Sequence, residues 1–70
     1  MIQSILIPKK YFSIDDAKLW IIYHGFKLKF RNKPYHETSK YYRFRQSIPS
    51  KLFNYRNFKL KNGIIFIVTY

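Results

Sequence analysis

Cysteine is absent from the seventy residues, and glycine occurs only twice, proline three times and acidic residues three times. Without cysteine there is no disulfide and no thiolate metal site, a composition that fits a reducing compartment. A domain of this length buries only about 60% of the surface its unfolded chain exposes, so stability has to come from packing. The scarcity of acid excludes more. Asp15, Asp16 and Glu37 are the carboxylates, and His24 and His36 the imidazoles. That set is too small for a dedicated zinc or calcium cage, and no cofactor is expected. Asp15 and Asp16 are neighbours, so on a helix they project about 100° apart and do not converge on one metal. With no catalytic constellation in view, the chain is not expected to be an enzyme. Long apolar runs are missing as well: none approaches the roughly 18 residues of a membrane span. The first seven residues lack the basic start and cleavage site of a signal peptide. A soluble protein that stays where it is made, with no membrane partner, is the expectation.

What the chain has in abundance is cations and rings. Fourteen Lys and Arg give a formal charge of +11, and seven Tyr, seven Phe and one Trp supply large apolar surfaces. A chain so charged repels itself and seeks polyanions, of which nucleic acid is the commonest. The wealth of Lys, Asn, Ile, Tyr and Phe is also what an AT-rich genome favours. Such a bias does not account for the scarcity of Asp and Glu.

The periodicity predicts one basic α+β domain over residues 1–70. Its architecture is one mainly antiparallel sheet of about four to five short strands, with one helix over about residues 13–24 packed on one face. Residues 3–7 are apolar and β-branched and Pro8 ends them, a strand. Ser13 suits a helix N-cap, Asp15 and Asp16 complement the first turn, and Phe12 precedes the cap as a staple. Ala17, Trp20, Ile21 and His24 share a face, and Gly25 suits a left-handed C-cap. Trp20 therefore reads as core and His24 as a capping group. Residues 26–30 alternate, predicting a strand with Phe26, Leu28 and Phe30 inward and Lys27 and Lys29 outward. Residues 31–40 read as a polar loop, in which His36 beside Glu37 is a weak signal for acid–base chemistry.

The stretch that best declares its two faces is Tyr41-Tyr42-Arg43-Phe44-Arg45-Gln46. As a strand it turns Tyr42, Phe44 and Gln46 to a core and Tyr41, Arg43 and Arg45 outward. Pro49 then suits the start of a helical turn through Lys51, Leu52 and Phe53. Asn54-Tyr55-Arg56-Asn57 is a further basic-aromatic stretch. Residues 58–61 alternate, Asn62-Gly63 suits a two-residue type I′ turn, and the apolar run 64–70 predicts an interior strand.

The set Ser4-Ile5-Leu6 with Lys10, Ala17 with Trp20-Ile21, His24-Gly25-Phe26, Tyr41-Tyr42-Arg43-Phe44-Arg45-Gln46, Pro49 and Gly63-Ile64 spans nearly the whole chain. In residue types and spacing it resembles a small domain found in tailed phages and large DNA viruses, both free-standing and beside phage head proteins such as the prohead protease. The resemblance implies a viral protein, in the cytoplasm or nucleus of an infected cell or in the virion. It implies no particular activity.

These readings converge on a non-enzymatic nucleic-acid-binding protein, for DNA or RNA, dominated by phosphate contacts and with little sequence specificity. Its expected binding residues are Lys27, Lys29, Tyr41, Arg43, Arg45, Arg56, Lys59 and Lys61; of these Lys27, Lys29, Arg43, Arg45, Lys59 and Lys61 share an outer sheet face if strand registers align, studded with Tyr41 and Tyr55. The competing expectation is a virion structural or accessory protein that docks its basic face on an acidic viral protein or on packaged genome. An exposed sheet edge would also allow self-association.

Overall fold

The computed structural model describes residues 1–48 and 54–70, so the turn expected at Pro49, Lys51, Leu52 and Phe53 lies outside the described residues. The elements are β1 (Ile2–Pro8), α1 (Ile14–Tyr23), β2 (His36–Glu37), β3 (Tyr41–Arg45), β4 (Tyr55–Lys59) and β5 (Ile65–Thr69). They form one antiparallel sheet in the order β2-β3-β1-β5-β4 with the helix on one face, the α+β architecture expected.

The most apolar short segment takes the centre. In β1, Ile5 lies between Phe44 of β3 and Phe66 of β5, and Leu6 lies between Arg43 and Ile65. Ile5, Ile7 and Phe44 join Ala17, Ile21 and Ile64 in a core whose members are at most 1% exposed. A register shift between Ile2 and Ser4 brings the Gln3 and Ser4 side chains together. The Ser4 hydroxyl donates to Gln3 Oε1 at 2.6 Å, so two buried polar groups satisfy each other.

The helix is held as its sequence predicts. Ser13 Oγ accepts from the Asp16 N–H at 3.2 Å, and Ala17 and Ile21 bury completely. His24 caps the other end: its backbone N–H and its ring Nδ1 both donate to the Trp20 carbonyl, at 3.2 and 2.8 Å. Its ring stacks on Trp20 at 4.0 Å, and Gly25 follows at φ +75°. Trp20 is half-buried and packs against Phe26 and Phe66 rather than disappearing into the core.

Three expectations need correction. Residues 26–30 form no strand. Phe26, Leu28 and Phe30 are half-buried and Lys27 and Lys29 exposed, as the alternation required, but a side chain replaces the neighbouring strand. Gln46 accepts the Lys27 N–H on Oε1 at 2.7 Å and donates Nε2 to the Lys27 carbonyl at 2.8 Å. The polar segment 31–40 is more ordered than a loop. Phe30 and Lys33 exchange both backbone bonds around Arg31 and Asn32, at φ +52° and +61°, a two-residue turn of the type I′ sense, and β2 follows. The last hairpin, in contrast, closes on three residues, 61–63. Leu60 donates to the Ile64 carbonyl, Gly63 donates to the Leu60 carbonyl, and of the three only Gly63 is left-handed, at φ +89°. A Cβ there would be strained by the left-handed φ and would also press on Pro8 Cγ at 3.2 Å and Tyr11 Cδ2 at 3.3 Å.

Gln46→Leu keeps the side-chain size but leaves the Lys27 backbone unpaired. Urea unfolding should show a loss of about 2–3 kcal/mol, the worth of two part-buried hydrogen bonds and their orphaned partners. A loss under about 0.5 kcal/mol would mean that the segment is held by its apolar side chains instead.

Candidate nucleic-acid interface

β3 positions the site because its inward residues leave no freedom to its outward ones. Phe44 is 1% exposed and Gln46 is committed to Lys27, so Tyr41, Arg43 and Arg45 must face away from the helix. Cross-strand register then lays out that face. One row runs His36, Arg43, Leu6, Ile65, Lys59, and the next Arg45, Ser4, Ile67, Asn57. Cations thus occupy both margins of the face and half-buried aliphatic residues its middle. Arg43 and Lys59 are three strand spacings apart, about 14 Å.

Not all the expected residues share this surface. Tyr41, Arg43, Arg45 and Lys59 do. Arg56 does not: β4 is continuous from Tyr55, so alternation puts Arg56 on the helix side, opposite Val68 and 5.0 Å from the centre of the Tyr70 ring. Lys61 leaves the sheet in the final turn, lining with Lys59 a shallow depression beside Tyr11 and Phe12. Lys27 and Lys29 belong to the irregular segment beside β3. The Lys27 ammonium is tied back to the Gln46 carbonyl at 3.2 Å and lies over the Phe30 ring. Tyr55 falls on the face of Lys59, at the outer strand.

The structure adds residues that sequence reasoning missed. β2 pairs only with Tyr42 and Arg43, so β3 continues past it to Arg45 while the Arg31-Asn32 turn stands alongside. Between them lies a cleft of about 660 Å³. Arg31, Lys33, His36, Arg43 and Arg45 line it with Phe30, Tyr35 and Ile48, and among the described residues no carboxylate does. The signal was present in Asn32, one of the few residue types that accept the left-handed conformation. Arg31 in the same conformation had no such signature.

Within the cleft Arg43 is a fixed charge. Its Nε donates to Ser4 Oγ and its Nη2 to Gln3 Oε1, both at 3.3 Å, so neutral partners orient the guanidinium without cancelling it. Partial burial, and then repulsion from Arg45, lower its pKa from the ordinary guanidinium value. Arg45 stands two residues along the same face, about 7 Å away along the strand. The one ion pair among the described residues, Lys9 to Glu37 at 2.6 Å, takes up the nearest acid in sequence. Glu37 and His36 are successive residues of β2 and so point to opposite faces, Glu37 towards Lys9 and His36 towards the cleft. An anion entering the cleft would relieve an uncompensated positive potential.

Comparison with known protein families, with curated proteins and with solved structures returned no match.

Arg31→Gly should leave the fold intact and be neutral to about 1 kcal/mol stabilising, since glycine relieves the left-handed strain while loosening the unfolded chain. Thermal unfolding monitored by circular dichroism checks this. A loss above about 1 kcal/mol would show that the Arg31 side chain, stacked on Phe30, holds the turn closed.

Proposed function

We propose that the protein binds nucleic acid without enzymatic activity, through phosphate contacts centred on the Arg43–Arg45 cleft. The observation that carries this reading is a pair of guanidinium groups on one strand, one oriented by neutral hydrogen bonds, in a cleft that among the described residues is lined also by Arg31 and Lys33 and by no carboxylate. Arginine matches phosphate oxygens bidentately, and release of condensed counterions supplies the driving force. The size of the cleft favours an unpaired strand. A phosphate with its flanking nucleotide fits 660 Å³, whereas a duplex would touch only the rim. Lysines outside the cleft, such as Lys29 and Lys59, extend the attraction without specifying sequence. With the resemblance to a domain of phages and large DNA viruses, the genome or transcripts of such a virus are the natural ligands of this reading.

A second reading, an accessory protein docking on another virion component, is favoured by one observation. Leu19, Ile22 and Tyr23 form a stripe on the outer side of α1, exposed by 58, 57 and 89%. Four-residue and three-residue spacing puts them on one face, and nothing in the core requires them there.

Binding to labelled single- and double-stranded DNA and RNA across a salt series separates the two. On single strands, four phosphate contacts predict a slope of log affinity against log salt of about −3, which Arg31→Gly with Arg45→Ala should reduce to about −1.5. Arg56→Ala, on the opposite side of the sheet, should leave the slope unchanged. Unaltered affinity in the folded double variant would remove the cleft from consideration, and no binding by the wild type at low salt would favour the docking reading.

A further inference from the structure

The other margin of the sheet carries a separate surface. β4 is the outermost strand, and among the described residues no strand lies beyond it. Every residue from Tyr55 to Lys59 is exposed. Asn54 and Tyr70 exchange both backbone bonds, at 3.2 and 3.1 Å, and Leu60 donates to Ile64 at 2.7 Å. The alternation of an antiparallel ladder then directs the N–H and C=O of residues 56 and 58 to β5, and those of Asn57 and Lys59 outward. Phe58 is 51% exposed, and its cross-strand neighbour Phe66 packs on Trp20 and Phe26. An aromatic row therefore runs from the core to the rim of the sheet and stops there half-covered.

We propose that β4 pairs antiparallel with β4 of a second copy of this chain, about a two-fold axis through the facing Phe58 side chains. Residues opposed across such a pair share a face, so only alternate registers are available, and charge chooses among them. Centring the pair on Arg56 or on Lys59 sets like charges directly opposite each other, which is destabilising. Centring it on Phe58 opposes Asn57 to Lys59 and Arg56 to Leu60, so no cation faces a cation. In this register the two phenyl rings occupy a pair without mutual backbone bonds, where Cα atoms approach to about 4.5 Å and side chains pack closest. Each ring covers the other and joins the two aromatic rows. Asn57 and Lys59 of each copy exchange the backbone bonds that no described residue takes up at the rim. Centring on Asn57 is also free of like-charge opposition, but it sets each phenyl against an arginine instead of against its mate.

The chain has no cysteine, so single cysteines report the register directly. Chains carrying Asn57→Cys mixed with chains carrying Lys59→Cys retain both phenyl rings. Opposed Cα atoms in a hydrogen-bonded pair stand about 5.5 Å apart, within the reach of a disulfide. Mild oxidation should yield the mixed disulfide at roughly tenfold excess over either symmetric one, because pairing raises the effective concentration of opposed thiols. Sedimentation of the wild-type chain should show a dimer whose population rises with salt, because each copy carries +11 and repulsion is screened. Asn57→Pro, which removes an outward N–H and leaves the β5 ladder whole, should shift the species to monomer. Predominance of the symmetric Asn57→Cys disulfide would overturn the Phe58-centred register. A wild-type chain that stays monomeric at high concentration and high salt would overturn the pairing itself.

Discussion

The pairing of β1 with β3 is the constraint on which the rest of the molecule depends. Ile5 opposite Phe44 and Ile7 opposite Tyr42 supply the floor on which α1 lies. The same register aims Arg43 and Arg45 away from that floor. A slip of one residue would turn two guanidinium groups into the core and expose Phe44, at a cost no domain of this size can meet. The fold and the orientation of the cations are thus one fact, fixed by apolar burial on the opposite side of the strand. Ser4 and Gln3, brought together by the register shift in β1, give that orientation rigidity by holding one guanidinium in place.

The cleft beside β3 depends on two substitutes for ordinary strand pairing. Gln46 uses a side-chain amide where a neighbouring strand would use its backbone, and so ties residue 27 to the end of β3. The turn at Arg31 and Asn32 reverses the chain in two left-handed residues, one of them a cation for which that conformation is costly. Together they keep the segment close to β3 but unpaired with Arg45, and the space between is the cleft. A longer β2 would have closed it.

Legibility from sequence followed how local the cause was. The helix was readable from both ends, because Ser13, the two aspartates, His24 and Gly25 act on groups within a few residues of themselves. The two faces of β3 were readable because alternation is a property of the segment alone. What alternation cannot show is the partner: residues 26–30 carry a strand's pattern of burial without a strand beside them. It also could not show that β4 begins at Tyr55, which moved Arg56 to the helix side and left Lys59 facing outward. The cleft was illegible for the same reason, since Arg31 and Lys33 join Arg43 and Arg45 through a turn whose first residue carries no turn signature. Asn62-Gly63 misled in the opposite direction, its type I′ signature being overridden by a three-residue loop in which Gly63 also makes room for Pro8 and Tyr11.

The two margins of the sheet differ in what they need, and that difference links the two proposals. Among the described residues the cleft beside β3 is lined by cations and no carboxylate, and on the proposed reading it is met by an anion. Among the described residues the β4 margin holds a phenyl ring and the outward backbone groups of Asn57 and Lys59, and on the reading above it is met by the hydrogen-bonding edge of a second copy. On these readings a second copy at β4 leaves both clefts accessible at the far ends of a continuous sheet. The obstacle to pairing is the charge of the two copies, and a polyanion lying across them removes it. Binding at one margin then favours binding at the other by the same factor in either direction, since coupling free energy is reciprocal. Raising salt acts on the two margins with opposite sign, screening repulsion at β4 while weakening phosphate contacts at β3, so neither equilibrium can be a by-product of the other.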